Sequence, residues 1–427
     1  MGRLGSNTES ASAPEIDRYG LQRVTWSMLP ERPRLRACCT RLARSNEGEN
    51  GDRTVKIQRV THDSGQETYG FSGLMRCGSG WTCPICAPQI AAERAKEIAH
   101  AMRQHRESGG EILFVTKTFP HGMDGVLSDQ IAGLTSARRR TRSGRWWQQT
   151  RELIELVGYI GALEFTWSER NGWHPHLHEI WFVKAGVDLP ALKRRVHERW
   201  VQACEKECLG TPSFEHGVNI KFVDDDAEAL ARYPLFGSDL DRAAKELTHS
   251  HTKQGRSSDS VTPWDLLIAA YDGDKRAGWL WREFARAVKG RASLNWSRGL
   301  KDHFGIDEIS DDELAAEQEQ ANEGVETVVE VSLKDWNRIT FHRARQALIQ
   351  YVKCFGADGA ELVLELLREK DRKWLAEMHR KRMSPDAPPG HEILRQRRVR
   401  ALHVAAEKEF EPCKRQSSSW ALSSIAV

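Results

Sequence analysis

The stretch W173-H-P-H-L-H-E-I-W-F-V183 decides how this chain is read. Its apolar residues Leu177, Ile180, Trp181, Phe182 and Val183, following the turn residues Asn171 and Gly172, predict a β-strand. On a strand, alternate residues share a face. His174, His176 and His178 therefore align on one side of a sheet. Imidazoles held on a rigid strand can bind one divalent cation, and a cation beside a nucleophile suits phosphoryl chemistry. The plain alternative is a set of chance histidines. His174, next to Pro175 near the turn, fits a hairpin-capping role as well as a ligand role.

Working outward, GYIGALEFTW (158–167) predicts the preceding strand, with SERNG as the hairpin turn. EILFVTKTF (111–119) and GVNIKFV (217–223) predict two more strands. Helical spacing marks 87–107, an arginine-rich 129–157 and 189–210. DDDAEALARYPLFG (224–237) predicts a helix that Pro234 stops or kinks. Thr262 with Pro263 starts a helix at 262–274, and another covers 279–291. Residues 302–330 are acidic, with a Ser310–Glu313 capping-box pattern. SLKDWNRITFHRARQALIQYVKCF (332–355) predicts helix, before a basic and then serine-rich tail.

CGSGWTCPIC (77–86) is the second decisive segment. C-P-x-C forms a compact knuckle presenting Cys83 and Cys86 to one ion, and Cys77 adds a third thiolate. Cys39 or Cys38 completes a tetrahedral site of the kind that suits structural Zn²⁺. Buried free cysteines and a redox pair are the alternatives. The segment follows a turn rather than a strand, which disfavours the redox pair. Cys204 and Cys208 read as ordinary helix residues.

Overall charge does not identify a partner: 63 basic against 60 acidic residues leave +3. Local charge is more informative. SARRRTRSGRWWQQTR (136–151) carries Arg138, Arg139, Arg140, Arg142, Arg145 and Arg151 around Trp146 and Trp147. Arginines neutralise phosphates and indoles stack on unpaired bases, so Arg138, Arg139, Arg140, Arg142, Arg145 and Trp146 are candidate DNA contacts. A solvated helix face is the alternative. No apolar run reaches the ~20 residues of a membrane span, and the first residues lack the apolar segment of a signal peptide. Nine cysteines, an odd number, argue against a disulfide framework. These features lead us to expect a cytoplasmic protein with no membrane partner.

Taken in order, these segments resemble the rolling-circle plasmid replication initiators of the HUH endonuclease superfamily. His176-Leu177-His178 resembles the HUH metal motif, CGSGWTCPICAPQIAAERAKEI the family's cysteine stretch, and LFVTKTFPH its first strand motif. Glu164 matches the glutamate of the strand before the hairpin. ALARYPLFG resembles the tyrosine motif and puts Tyr233 at the nucleophile position. KELT, TPWDLL and NWSRGLK resemble later segments, and the match spans about residues 36–313. The resemblance implies an α+β fold: an antiparallel sheet of HUH or RNA-recognition-motif type with helices packed on one side. To this are added an N-terminal zinc-binding segment and a mostly helical C-terminal region. The implied organisation is a disordered lead-in (1–36), a cysteine segment with its helix (37–107) and a catalytic domain (108–255). A helical extension (256–305) and an accessory region with a disordered tail (306–427) follow.

The resemblance implies that His176 and His178 hold catalytic Mg²⁺ or Mn²⁺, with Glu164 and His174 as further candidate ligands. If Ser168 lies opposite His174, Glu164 lies opposite His178. Tyr233 would nick single-stranded or hairpin origin DNA, forming a 5′-phosphotyrosine and leaving a 3′-OH primer; a nickase of this type also religates. Host helicase and DNA polymerase are the implied partners. Two positions depart from the family pattern: Ala229 stands where relatives carry a glutamate or second tyrosine, and Phe236 where many carry lysine. The terminating cleavage therefore lacks its usual residue. Competing readings are an HUH transposase or mobilisation relaxase, a metal-dependent hydrolase without a covalent step, and a non-enzymatic zinc-dependent DNA-binding protein.

Overall fold

The histidine strand is central because its other residues are almost all apolar and need covering on both faces. The computed structural model describes residues 17–43, 54–61, 67–223, 260–317 and 325–382. They fall into two compact units. Within residues 23–330, an antiparallel sheet is built from β3 (Glu111–Lys117), β4 (Gly158–Ser168), β5 (Gly172–Val183), β6 (Val218–Phe222) and β7 (Ser260–Val261). The order is β6-β3-β5-β4-β7, and β8 (Leu294–Trp296) also pairs with β4. The segment 256–305, expected as a helical extension, thus contributes two edge strands to the same sheet.

Pro175 is tolerated in this central strand for a local reason. The β3 ladder ends at Lys117↔Leu177, two residues short of it, so its missing N–H leaves no gap there. The β4–β5 hairpin closes on Ser168↔Gly172 around a three-residue loop. Gly172 takes φ 69°, the left-handed position such loops require.

Helices cover both faces, which corrects the one-sided packing that the resemblance implies. On the histidine face, α3 (Cys86–Glu107) packs Ala95, Ile98, Ala99 and Met102 onto Ile112, Phe114, Ile160, Ile180 and Phe182. Burying each large apolar side chain there contributes roughly 1.5–3 kcal/mol. The opposite face bears Trp181, fully buried. Trp147 of α5 (Gly144–Leu153) meets it edge-on at 5.7 Å. Trp200 of α6 (Leu189–Lys206) and Trp181 both lie beneath the Lys117 ammonium. The second helical layer exists because residues on that side of β5 are as apolar as those toward α3. The arginine-rich stretch, expected as one helix, divides into α4 (Leu127–Thr141) and α5. Gly144, at φ 73°, marks the break.

One expectation for the N-terminal part is also corrected, and one element there was not expected. The lead-in expected to be disordered (1–36) instead contains α1 (Arg18–Met28) and most of α2 (Pro33–Ala37). Asp17 caps α1 by accepting from the Gly20 amide at 2.7 Å. Leu21, Met28, Leu29 and Leu35 are buried, which gives the segment a core to fold onto. Between the cysteines lies an unpredicted hairpin, β1 (Thr54–Thr61) with β2 (Glu67–Ser72), joined by β9 (Val325–Ser332) in the order β2-β1-β9. Its mixed polar composition hid it.

Later helices in residues 23–330 are α7 (Pro263–Tyr271), α8 (Lys275–Ala287), α9 (Leu300–His303) and α10 (Asp311–Glu317). The Thr262–Asp265 capping box starts α7. In the other unit, α11 (Leu333–Phe341) and α12 (Arg345–Arg382) are tied by Asp371, which pairs with Arg338 and His342 at 2.7 Å each. Gly356 (φ 60°, ψ −138°) divides α12 into two helical segments.

Candidate metal centres

The strand register decides which side chains meet. Glu164 lies opposite His176, not His178, and Ala162 lies opposite His178. This corrects the expected register by two residues, because the hairpin loop is three residues long rather than five. A two-residue shift preserves the side-chain face, so the glutamate still points at the histidines. Glu164 Oε2 stands 2.8 Å from His178 Nε2 and 3.6 Å from His176 Nε2.

Each imidazole is oriented through its other nitrogen. His176 Nδ1–H donates to the His174 carbonyl at 3.3 Å, which leaves Nε2 as the ligating nitrogen. His178 Nδ1 lies 3.1 Å from Thr116 Oγ1, and Thr116 is its direct cross-strand neighbour on β3. When Nδ1–H donates there, Nε2 faces Glu164. Burial pushes the Glu164 carboxyl up, but hydrogen bonds and charge from His176 and His178 outweigh it and hold the carboxyl well below the usual range. An octahedral Mg²⁺ or Mn²⁺ with bonds of about 2.1 Å needs adjacent ligands roughly 3 Å apart. Two nitrogens and one carboxylate oxygen, all within 4.8 Å of one another, fit that requirement.

His174 stays outside this group of three. Its ring stacks on His121 with centroids 4.2 Å apart and planes at 12°. Burial, with His176 and His121 adding, pushes its pKa down to about 3. It is a neutral platform beside the site. Sequence reasoning missed both His121 and Thr116, although both lie in the quoted LFVTKTFPH. Thr116 is expected to be a positioning residue. Thr116→Val should weaken Mn²⁺ binding by about 10–100-fold with little change in melting temperature. Calorimetric titration checks this, and unchanged affinity would remove the role.

The cysteines form a second centre. Cys38, Cys77, Cys83 and Cys86 place their sulfurs within 4.8 Å of one another. Cys38 lies 3.7 Å from Cys83 and 3.5 Å from Cys86, and Cys77 lies 3.7 Å from Cys86. A tetrahedral ion with Zn–S bonds of about 2.3 Å sets sulfurs about 3.8 Å apart, whereas a disulfide needs about 2.05 Å. Hydrogen bonds from the other three sulfurs pull the Cys86 thiol down, and burial pushes Cys83 up. Of the two candidates for the fourth position, Cys38 turns into the cluster. Cys39 adopts φ 49° and accepts from Arg76 Nη1 at 2.6 Å.

The arginine-rich stretch divides. Arg142 turns inward: its Nη2 lies 2.6 Å from Glu179 Oε1, and its guanidinium caps the Tyr159 ring at 3.6 Å. Glu179 is fully buried and also binds Lys117 at 2.9 Å and Trp181 Nε1 at 2.8 Å. Burial pushes Lys117 down to about 8 although Glu179 opposes it. Arg138 lies against the same charges, and burial lowers its pKa. Arg140 pairs with Glu207. The Trp146 ring faces Arg195 and Arg199 at 5.2 and 5.7 Å. Arg139 and Arg145 are exposed. Tyr233, with Ala229 and Phe236, lies outside the described residues.

Comparison with known proteins bears on the same segments. A family model described as "Replication protein" matches residues 76–344, a span that includes both centres except Cys38. "Protein rep" of Streptomyces lividans is 29% identical over 333 residues, covering 63% of this chain and 73% of the relative. "Neomycin resistance protein" of Streptomyces cyanogenus is 32% identical over 135 residues, 26% of this chain and 31% of that protein. No solved structure matches.

Proposed function

Because the chain belongs to the replication protein family, we propose that it initiates plasmid rolling-circle replication by nicking one strand of its origin. The observation that carries this reading is the convergence of Glu164, His176 and His178 on one point of the central strands. His176 and His178 would supply their Nε2 nitrogens, and Glu164 the hard oxygen that Mg²⁺ or Mn²⁺ prefers. A cation bound there would polarise the scissile phosphate and lower the barrier to in-line attack. Thr116 and the His174 carbonyl keep both Nε2 atoms aimed at the site. The stacked His121–His174 pair lies beside it, with the His174 ring 4.9 Å from that of His176.

Tyr233 would supply the nucleophile. Its oxygen bonds to phosphorus as the P–O3′ bond breaks, and the phenolic proton is exchanged for one on the departing 3′ oxygen. The products are a 5′-phosphotyrosine and a 3′-OH primer. No nucleotide is consumed, since the new ester conserves the phosphodiester. β6 and β7 form opposite edges of the sheet. The three converging donors lie on β4 and β5, between those edges. The four thiolates would hold structural Zn²⁺, and a host helicase and polymerase would extend the primer.

The test is direct. Single-stranded origin DNA, incubated with the protein and Mn²⁺, should yield a covalent protein–DNA adduct, and omission of divalent ions should suppress it. No adduct with any divalent metal would overturn the nicking mechanism and favour a non-enzymatic DNA-binding role.

A further inference from the structure

A cavity of about 180 Å³ lies between the loop that carries the cysteine knuckle and the turn after α8. It is smaller than the ~300 Å³ at which pockets for drug-sized ligands begin, and so suits a single small group. Three cations line it: Arg32, Lys289 and Arg291. One carboxylate, Asp311, also lines it, but Arg94 Nη2 already binds that group at 2.9 Å. Glu31 and Cys77 are the remaining negative groups acting on Arg32. The local balance is positive.

Arg32 is held in a fixed orientation. Nη1 donates to Thr82 Oγ1 at 3.2 Å and Nη2 to the Ala285 carbonyl at 2.6 Å. Its Nε is buried and has no hydrogen-bond partner among the described residues. A buried donor of this kind carries a desolvation cost that a ligand would relieve. The facing loop is Gly78-Ser79-Gly80-Trp81. Among the described residues, the amides of Gly78, Gly80 and Trp81 donate to no protein acceptor. Gly78 sits at φ 63° with the Asp312 carboxylate, itself paired with Arg34 at 2.9 Å, packed against it, while Gly80, which has no Cβ, lets a ligand approach the backbone. Unpaired successive amides around a left-handed glycine are the elements of an anion-binding nest.

We propose that this cavity binds a phosphate group, held by Arg32, Lys289 and the 78–81 amides. Two sources share that chemistry: a backbone phosphate of a DNA strand, or a free phosphate or nucleotide. Trp81 lines the cavity and packs edge-on against Phe165 at 5.5 Å. Phe165 follows Glu164 on β4 and so points to the opposite face of the sheet from the metal centre. The proposal does not depend on nicking, because phosphate binding is read without DNA cleavage.

The test is calorimetric titration of the full chain with inorganic phosphate in buffer without added divalent ions. Saturable binding is expected. Lys289→Glu, on an exposed side chain, and Arg32→Gln should each weaken it by roughly tenfold or more. Melting temperature controls for folding, and Lys289→Glu keeps the test valid if Arg32→Gln misfolds. Competition then separates the sources. Displacement by a single-stranded oligonucleotide but not by a nucleoside monophosphate identifies a DNA phosphate, and the reverse identifies a free nucleotide. Absence of saturable binding, or equal affinity in Lys289→Glu, would overturn the proposal.

Discussion

Tyr233→Phe is expected to eliminate the covalent protein–DNA adduct, a loss on the order of 10³-fold or more in strand cleavage. The substitution removes only the phenolic oxygen, the proposed nucleophile. Origin binding should persist, because the proposed phosphate-contacting cations and metal ligands lie elsewhere in the chain. Metal affinity should persist for the same reason. Gel shift of labelled origin DNA, run beside denaturing gels for the adduct, distinguishes the two effects. A variant that still cuts without forming an adduct would point to a metal-dependent hydrolase that uses water. A variant that still forms the adduct would move the nucleophile to another residue.

Cys83→Ser is expected to release bound zinc and destabilise residues 23–330. Cys83 is fully buried, and its sulfur lies 3.7 Å from that of Cys38, so the pair joins α2 to the start of α3 across 45 residues. A structural zinc site contributes apparent binding energy of about 10–16 kcal/mol in isolated fingers, comparable with the ~5–15 kcal/mol that stabilises a whole domain. The expected result is a fall of more than 10 °C in melting temperature and loss of stoichiometric zinc by elemental analysis. Chelation of the wild type should have the same effect. Purified protein without zinc, with an unchanged melting temperature in the variant, would show that the four sulfurs act only as core packing. Cys39→Ser gives the internal contrast: it should retain zinc, since that sulfur faces Arg76.

Much of the candidate site was legible because its signals are local. Alternation along 173–183 puts the three histidines on one face, and C-P-x-C spacing brings two thiolates together, whatever the rest of the chain does. The pairing register was not legible. It depended on whether the hairpin loop holds three or five residues, which the left-handed Gly172 settles. The β1–β2 hairpin escaped notice because its strands alternate weakly. The inward turn of Arg142 escaped notice because its partner, Glu179, is 37 residues away and sits among apolar residues.

The sequence by itself determined the strand that carries the three histidines, the knuckle, and the family to which the chain belongs. These rest on short-range periodicity and on an ordered set of motifs. Tertiary structure alone decided that Cys38 and not Cys39 completes the thiolate cluster, that Thr116 and His121 attend the histidines, and that Arg142 balances a buried carboxylate. Each of these is a meeting of side chains from separate elements. Such meetings are governed by register, helix placement and the electrostatic demand of buried charge, which no local pattern encodes.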